Sequence, residues 1–124
     1  MKILTVDDSS TMRRIIAGAA SVMGIETLGA SRGHEALQIL EKEGGAIALI
    51  LLDVNMPEMS GIELLKILKA DPRWSKIPVM MVTSESERTS VIEAIQAGAS
   101  SYLAKPFVPE DLIKKIMQTV GGQI

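Results

Sequence analysis

Residues 46–53 read AIALILLD: seven apolar residues in succession, stopped by an acid. The run is far too short to span a bilayer. It lacks the alternation of a half-buried strand, so it predicts a strand covered on both faces, as in a parallel sheet. Working outward, Ala36, Leu37 and Leu40 lie at helical spacing before Gly44-Gly45, a helix with its stop. On the other side, Ser60 and Glu63 have capping-box spacing, and Ile62, Leu65 and Leu68 give the buried side of the next helix. Helix, buried strand, helix is the repeating unit of an α/β fold.

The same alternation continues to both ends. Residues 3–6 form a short, mostly apolar first strand that ends in Asp7-Asp8. Ile15, Ile16, Ala19, Ala20 and Met23 follow at helical spacing, and residues 25–28 read as a second strand. Residues 77–82 predict a fourth strand, with Pro78 tolerated at its start. Val91, Ile92 and Ile95 lie on a helix closed by Gly98, and residues 101–104 are a short fifth strand. Pro109, Glu110 and Asp111 suit the first turn of a last helix. Its stripe is Leu112, Ile113, Ile116, Met117 and Val120, and Gly121-Gly122 stops it. Five strands alternating with five helices predict a parallel sheet with helices on both faces and right-handed crossovers.

Composition narrows the function. At 124 residues the chain predicts one domain, 1–124. A hydrophobic share of 47% and a charged share of 23% argue against disorder. The net charge of −2 is no footprint for nucleic acid or an anionic membrane. The charge is uneven, −3 over residues 1–62 against +1 over 63–124. There is no cysteine, which excludes disulfides, thiolate metal sites and thiol nucleophiles and fits a cytosolic location. The aromatics are Trp74, Tyr102 and Phe107, too few for a base-stacking platform. The eight methionines read as core filler, and Trp74, beside Asp71-Pro72-Arg73, as a side chain packing a loop over the sheet. His34 reads as a surface position at a helix start, which leaves a Ser-His-Asp triad without support.

In open parallel sheets, ligands bind outside the carboxyl ends of the strands. Asp7 and Asp8 follow the first strand here, and Asp53 and Asn55 follow the third. Thr83 and Ser84 follow the fourth, and Lys105-Pro106 the fifth. Each alone has a plain explanation: a capped helix, a solvated turn, a surface lysine. Together they put three carboxylates, two hydroxyls and one ammonium on one edge. Carboxylates that close repel one another unless a cation joins them. A hard divalent cation with oxygen ligands, Mg²⁺, resolves the repulsion and retains places for water and a phosphate. Asp53, ending the most buried strand in a loop stiffened by Pro57 and turned at Gly61, can act as a nucleophile on phosphorus. Lys105 and the Thr83 hydroxyl can meet phosphoryl oxygens.

In this order VDDSSTMRR, LLDVNMPEMSG, VTSE and AGASSYLAKPF resemble a response-regulator receiver domain across nearly the whole chain, and are most similar to the stand-alone chemotaxis type. The resemblance implies strand order 2-1-3-4-5, the flavodoxin-like doubly wound arrangement. It implies that Asp53 is the phosphoacceptor and that Asp8, Asp53 and the Asn55 backbone carbonyl hold Mg²⁺, with Asp7 acting through water. It implies that Lys105 contacts the phosphoryl group, that Thr83 and Tyr102 form a switch pair, and that Lys105–Pro106 is cis. Asn55, Glu85 and Ser84 would tune the lifetime of the acyl phosphate. Two departures stand out: Val54, where some chemotaxis relatives carry Trp, and Ser84, where Ala is commoner.

The resemblance further implies a sensor histidine kinase as donor and a protein target read through the helix 4–strand 5–helix 5 surface. The target would be a flagellar motor switch or a phosphatase. The expected state is a cytoplasmic monomer without enzymatic activity beyond self-catalysed phosphorylation and dephosphorylation. No DNA-binding or catalytic output segment follows Gln123-Ile124, so output is expected through protein contact; a receiver cut from a longer regulator is the alternative. An aspartate-nucleophile phosphohydrolase would want a second acid two residues after Asp53, where Asn55 stands. A flavin carrier would want a hydroxyl- and glycine-rich loop where Asp7-Asp8 stands. A receiver-like adaptor without chemistry would not need the full acid set and Lys105.

Overall fold

The structure is a computed structural model that describes residues 1–84 and 88–120. Its elements are β1 (Lys2–Val6), α1 (Ser10–Val22), β2 (Glu26–Ala30), α2 (Gly33–Glu43), β3 (Ile47–Asp53), α3 (Gly61–Ala70), β4 (Val79–Ser84), α4 (Arg88–Gln96), β5 (Ser101–Lys105) and α5 (Pro109–Val120). A single 3-10 turn, Gly44–Ala46, leads into β3. All strand pairs are parallel, and the order is β2-β1-β3-β4-β5, as the resemblance implied.

The apolar strands divide their residues between two faces, because successive side chains point to opposite sides. Leu4, Val6, Ile50, Leu52, Val79 and Met81 face α2, α3 and α4, where they meet Leu40, Leu64, Leu65, Leu68 and Ala94. Ile3, Leu49, Leu51, Met80 and Val82 face α1 and α5, where they meet Ile16, Ala20, Leu112, Ile116 and Val120. A run with no polar residue, such as 47–52, is therefore what a strand between two helical layers requires.

Two strands depart from the sequence reading by two residues at an end. β2 runs over Glu26–Ala30, displaced toward the C-terminus, since at the sheet edge it has one partner and no continuous apolar signal. β4 begins after Pro78 and extends through Thr83 and Ser84, which pair with Ala104 and Lys105. These functional candidates are the last rungs of the ladder rather than loop residues. Asp53, paired with Val82, is likewise the last residue of β3.

The capping box at Ser60 and Glu63 forms as the spacing predicts. Trp74 packs against the α2–α3 side of the core, lies across Gly44 where a Cβ would collide with its ring, and carries the Arg73 guanidinium 4.8 Å from its ring centroid. Met80 and Met81 are fully buried, whereas Met1 and Met117 are exposed, so the core-filler reading holds for only part of the set. His34 is exposed in the first turn of α2. No helix among the described residues is long and apolar enough to cross a membrane. Glu85 and the Gly121-Gly122 stop lie outside the described residues.

Candidate phosphorylation site

The strand order decides which side chains meet. β1 and β3 are neighbours with Val6 opposite Leu52, so the residues that follow, Asp7 and Asp53, emerge side by side. β4 and β5 continue the same edge, and β2, at the far side of β1, contributes none of the predicted site residues.

One oxygen from each of Asp7, Asp8 and Asp53 lies within 4.8 Å of the others. Asp7 and Asp53 are buried and Asp8 is exposed, so the cluster has a dry floor and one side open to water. Lys105 Nζ lies 3.3 Å from Asp7 Oδ2 and 3.5 Å from Asp53 Oδ1, crossing from β5 to join the two buried acids. The Ser9 backbone N–H donates to Asp7 Oδ1 at 2.9 Å, while the Ser9 hydroxyl accepts from the Met12 N–H and caps α1. The Asp7 N–H donates to the Ala30 carbonyl at 3.0 Å. The Lys105–Pro106 peptide is cis.

The acids outnumber the ammonium, and Asp53 bears the consequence. Burial first, and then the neighbouring Asp7 charge, push its carboxyl up to about 6. Lys105 and a hydrogen bond from the Asn55 backbone N–H pull the other way, and Asp8 adds a smaller upward push. A buried carboxylate disfavoured in this way is relieved by a positive charge on its open side. The donor set is all hard oxygen with room for water, the chemistry that suits Mg²⁺ rather than a soft metal.

The backbone around Asp53 is held by the chain that follows it. The Gly61 N–H donates to the Val54 carbonyl at 2.8 Å, closing the 54–61 loop. A Cβ on Gly61 would collide with the Asp53 carbonyl oxygen, so glycine is required there by close approach. Thr83 is 2% exposed and donates its hydroxyl to the Ser84 carbonyl at 3.3 Å; it follows Val82, the register partner of Asp53. Tyr102 lies apart from the acids, on the edge strand opposite Met81, 45% exposed, with Lys115 Nζ 5.8 Å from its ring centroid. Sequence reasoning missed two residues that hold the acids: Ser9, through its backbone N–H, and Arg13, whose Nη1 donates to the Asp7 carbonyl.

A five-stranded parallel sheet in this order, with an acid cluster and a bridging lysine at its carboxyl edge, is the architecture of a signalling receiver. The family model for the response regulator receiver domain matches residues 3–117, and the chain belongs to that family. It is similar to chemotaxis protein CheY1 of Helicobacter pylori, 45% identical over 98% of each chain. It is equally similar to chemotaxis protein CheY of Pseudomonas aeruginosa, 45% identical over 98% of this chain and all of that one. Among solved structures it matches the chemotaxis response regulator CheY4 of Vibrio cholerae with a TM-score of 0.87 at 34% identity, covering 95% of this chain and 97% of the other.

Proposed function

We propose that this chain is a phosphoryl-accepting switch, with Asp53 as acceptor and a protein partner as its reader. The observation that carries the proposal is the gathering of Asp7, Asp8 and Asp53 within 4.8 Å under a shared lysine. An Asp53 carboxylate oxygen attacks phosphorus in line. The bond from phosphorus to the donor atom breaks, and the donor leaves with the bonding pair. A histidine kinase is the donor that fits the family. Asp8, Asp53 and the Asn55 carbonyl would hold Mg²⁺, with Asp7 acting through water. When bound, the ion neutralises charge on the acceptor and phosphoryl oxygens. Lys105 pairs with a phosphoryl oxygen, and the Thr83 hydroxyl donates to another. Hydrolysis by water returns Asp53 to its carboxylate, at a rate that Asn55, Glu85 and Ser84 would tune. This is self-catalysed chemistry on one side chain, not turnover of an external substrate.

Charge on Asp53 signals only by biasing a two-state element. Inward movement of the Thr83 hydroxyl toward the phosphoryl group would open space for Tyr102 to turn in from its exposed position. That movement would change the surface of α4, β5 and α5. Similarity to chemotaxis proteins supports a flagellar motor switch or a phosphatase as the partner, and the proposal takes the chain to work as a cytoplasmic monomer. The test is incubation with acetyl phosphate and Mg²⁺ followed by intact-mass spectrometry. One phosphoryl adduct is expected, not formed when EDTA is present from the start and absent in Asp53→Ala. An adduct that survives in Asp53→Ala moves the site elsewhere.

A further inference from the structure

Asp7 and Asp8 share a peptide bond, and its plane helps set where the Asp8 carboxylate points. Asp7 itself is pinned through its N–H to Ala30, its Oδ1 to Ser9 and its Oδ2 to Lys105. Among the described residues no donor reaches the Asp8 side chain, so its aim depends on the backbone. The carbonyl of that shared peptide is held by one side chain, Arg13, whose Nη1 donates to it from the first turn and a half of α1.

The surroundings keep Arg13 in that position. It is half-buried, and its stem lies over Gly29 of β2, where a Cβ would stand 3.2 Å from its Cδ. A methyl group at 29 would require the stem to give by a few tenths of an ångström. The charge of Arg13 also faces Glu35 on α2. The Glu35 carboxyl is held below its usual value first by the Ser31 backbone N–H, then by the Ser31 hydroxyl and the Arg13 and Arg32 charges. Arg13 thus ties α1, β2 and the turn after β1 to one carbonyl.

We infer that Arg13 is a positioning residue for the cation site, fixing the Asp7–Asp8 peptide so that Asp8 is aimed into the cluster. This rests on the Mg²⁺ reading above. Groups that orient ligands from behind typically contribute ten- to a hundredfold in metal affinity. Deleting a positive charge beside an acid cluster would by electrostatics alone tighten cation binding. The two effects have opposite signs, so experiment separates them.

The test is Mg²⁺ titration of the full chain by calorimetry, beside Arg13→Met, Arg14→Met and Gly29→Ala, each checked for folding by circular dichroism. The Kd is expected to rise about tenfold in Arg13→Met. Gly29→Ala raises it less, and Arg14→Met, which removes a charge from an exposed position of α1, leaves it unchanged or lower. The Asp8 amide resonance of Arg13→Met also shifts before any Mg²⁺ is added. A folded Arg13→Met with a Kd equal to or below that of the parent overturns the inference and leaves the Mg²⁺ reading standing. If Arg13→Met does not fold, Gly29→Ala decides, and an unchanged Kd there overturns it. A parent chain that binds no Mg²⁺ overturns both.

Discussion

Replacing Asp53 by asparagine tests the electrostatic description of the site without any phosphate. The carboxyl titrates at about 6 in the folded chain against an ordinary 3.8. Folding therefore disfavours its ionised form by about 3 kcal/mol, at about 1.4 kcal/mol for each pH unit. The sign follows from proton binding. Between about pH 4 and 6 the folded state holds the proton more tightly, so raising the pH through that window destabilises the fold. Above it the group is ionised in both states and the full penalty is present; below it both states are neutral and the penalty is gone. Asp53→Asn, nearly isosteric at a site only 7% exposed, removes the penalty. The assay is urea unfolding in EDTA, followed through Trp74 emission and circular dichroism. At pH 7.5 the variant is expected to exceed the parent by up to about 3 kcal/mol, and at pH 4 the two converge. Added Mg²⁺ narrows the gap at pH 7.5 by stabilising the parent alone. A variant no more stable than the parent at pH 7.5, or more stable by the same margin at pH 4, refutes the reasoning.

Four other outcomes follow from individual contacts. Lys105→Met removes one of the two groups that pull the Asp53 carboxyl down, so its titration, read by carbon NMR, moves above about 6. Gly61→Ala forces a methyl against the Asp53 carbonyl oxygen and is expected to cost about 1–3 kcal/mol in urea unfolding, with slower phosphoryl uptake. Thr5 is 2% exposed and its hydroxyl has no hydrogen-bond partner among the described residues, so Thr5→Val is expected to raise stability by about 1 kcal/mol in the same assay. Trp74 lies across Gly44, just before β3, and Asp53 ends that strand, about 20 Å further on at 3.3 Å per residue over the six steps from Ile47 to Asp53. Mg²⁺ should therefore leave Trp74 emission unchanged.

The parts of this fold legible in the sequence are those where local signal and tertiary demand agree. The unbroken run ending at Leu52 marks the central strand because two helical layers cover it, and Ser60 with Glu63 marks a helix start because the cap is made by those residues alone. β2 was placed early because an edge strand with glutamate, threonine and glycine carries no period. Thr83, Ser84 and Lys105 read as loop residues because nothing local to them shows that ladder hydrogen bonds continue past the apolar run. The cluster of Asp7, Asp8, Asp53 and Lys105 was accessible once the alternation gave a parallel sheet, since their place at strand ends follows from topology. Arg13 was not, because its role depends on a glycine sixteen positions away, on another element. No motif spacing encodes that juxtaposition.

The central claim is that one aspartate, and only one, carries the signal. After reaction with acetyl phosphate and Mg²⁺, borohydride reduces an aspartyl phosphate to homoserine, and peptide mass spectrometry places the reduced residue. Homoserine at position 53 alone is the expected result. Homoserine at position 7 or 8, or phosphate stable to borohydride on a hydroxyl such as that of Thr83, would contradict it.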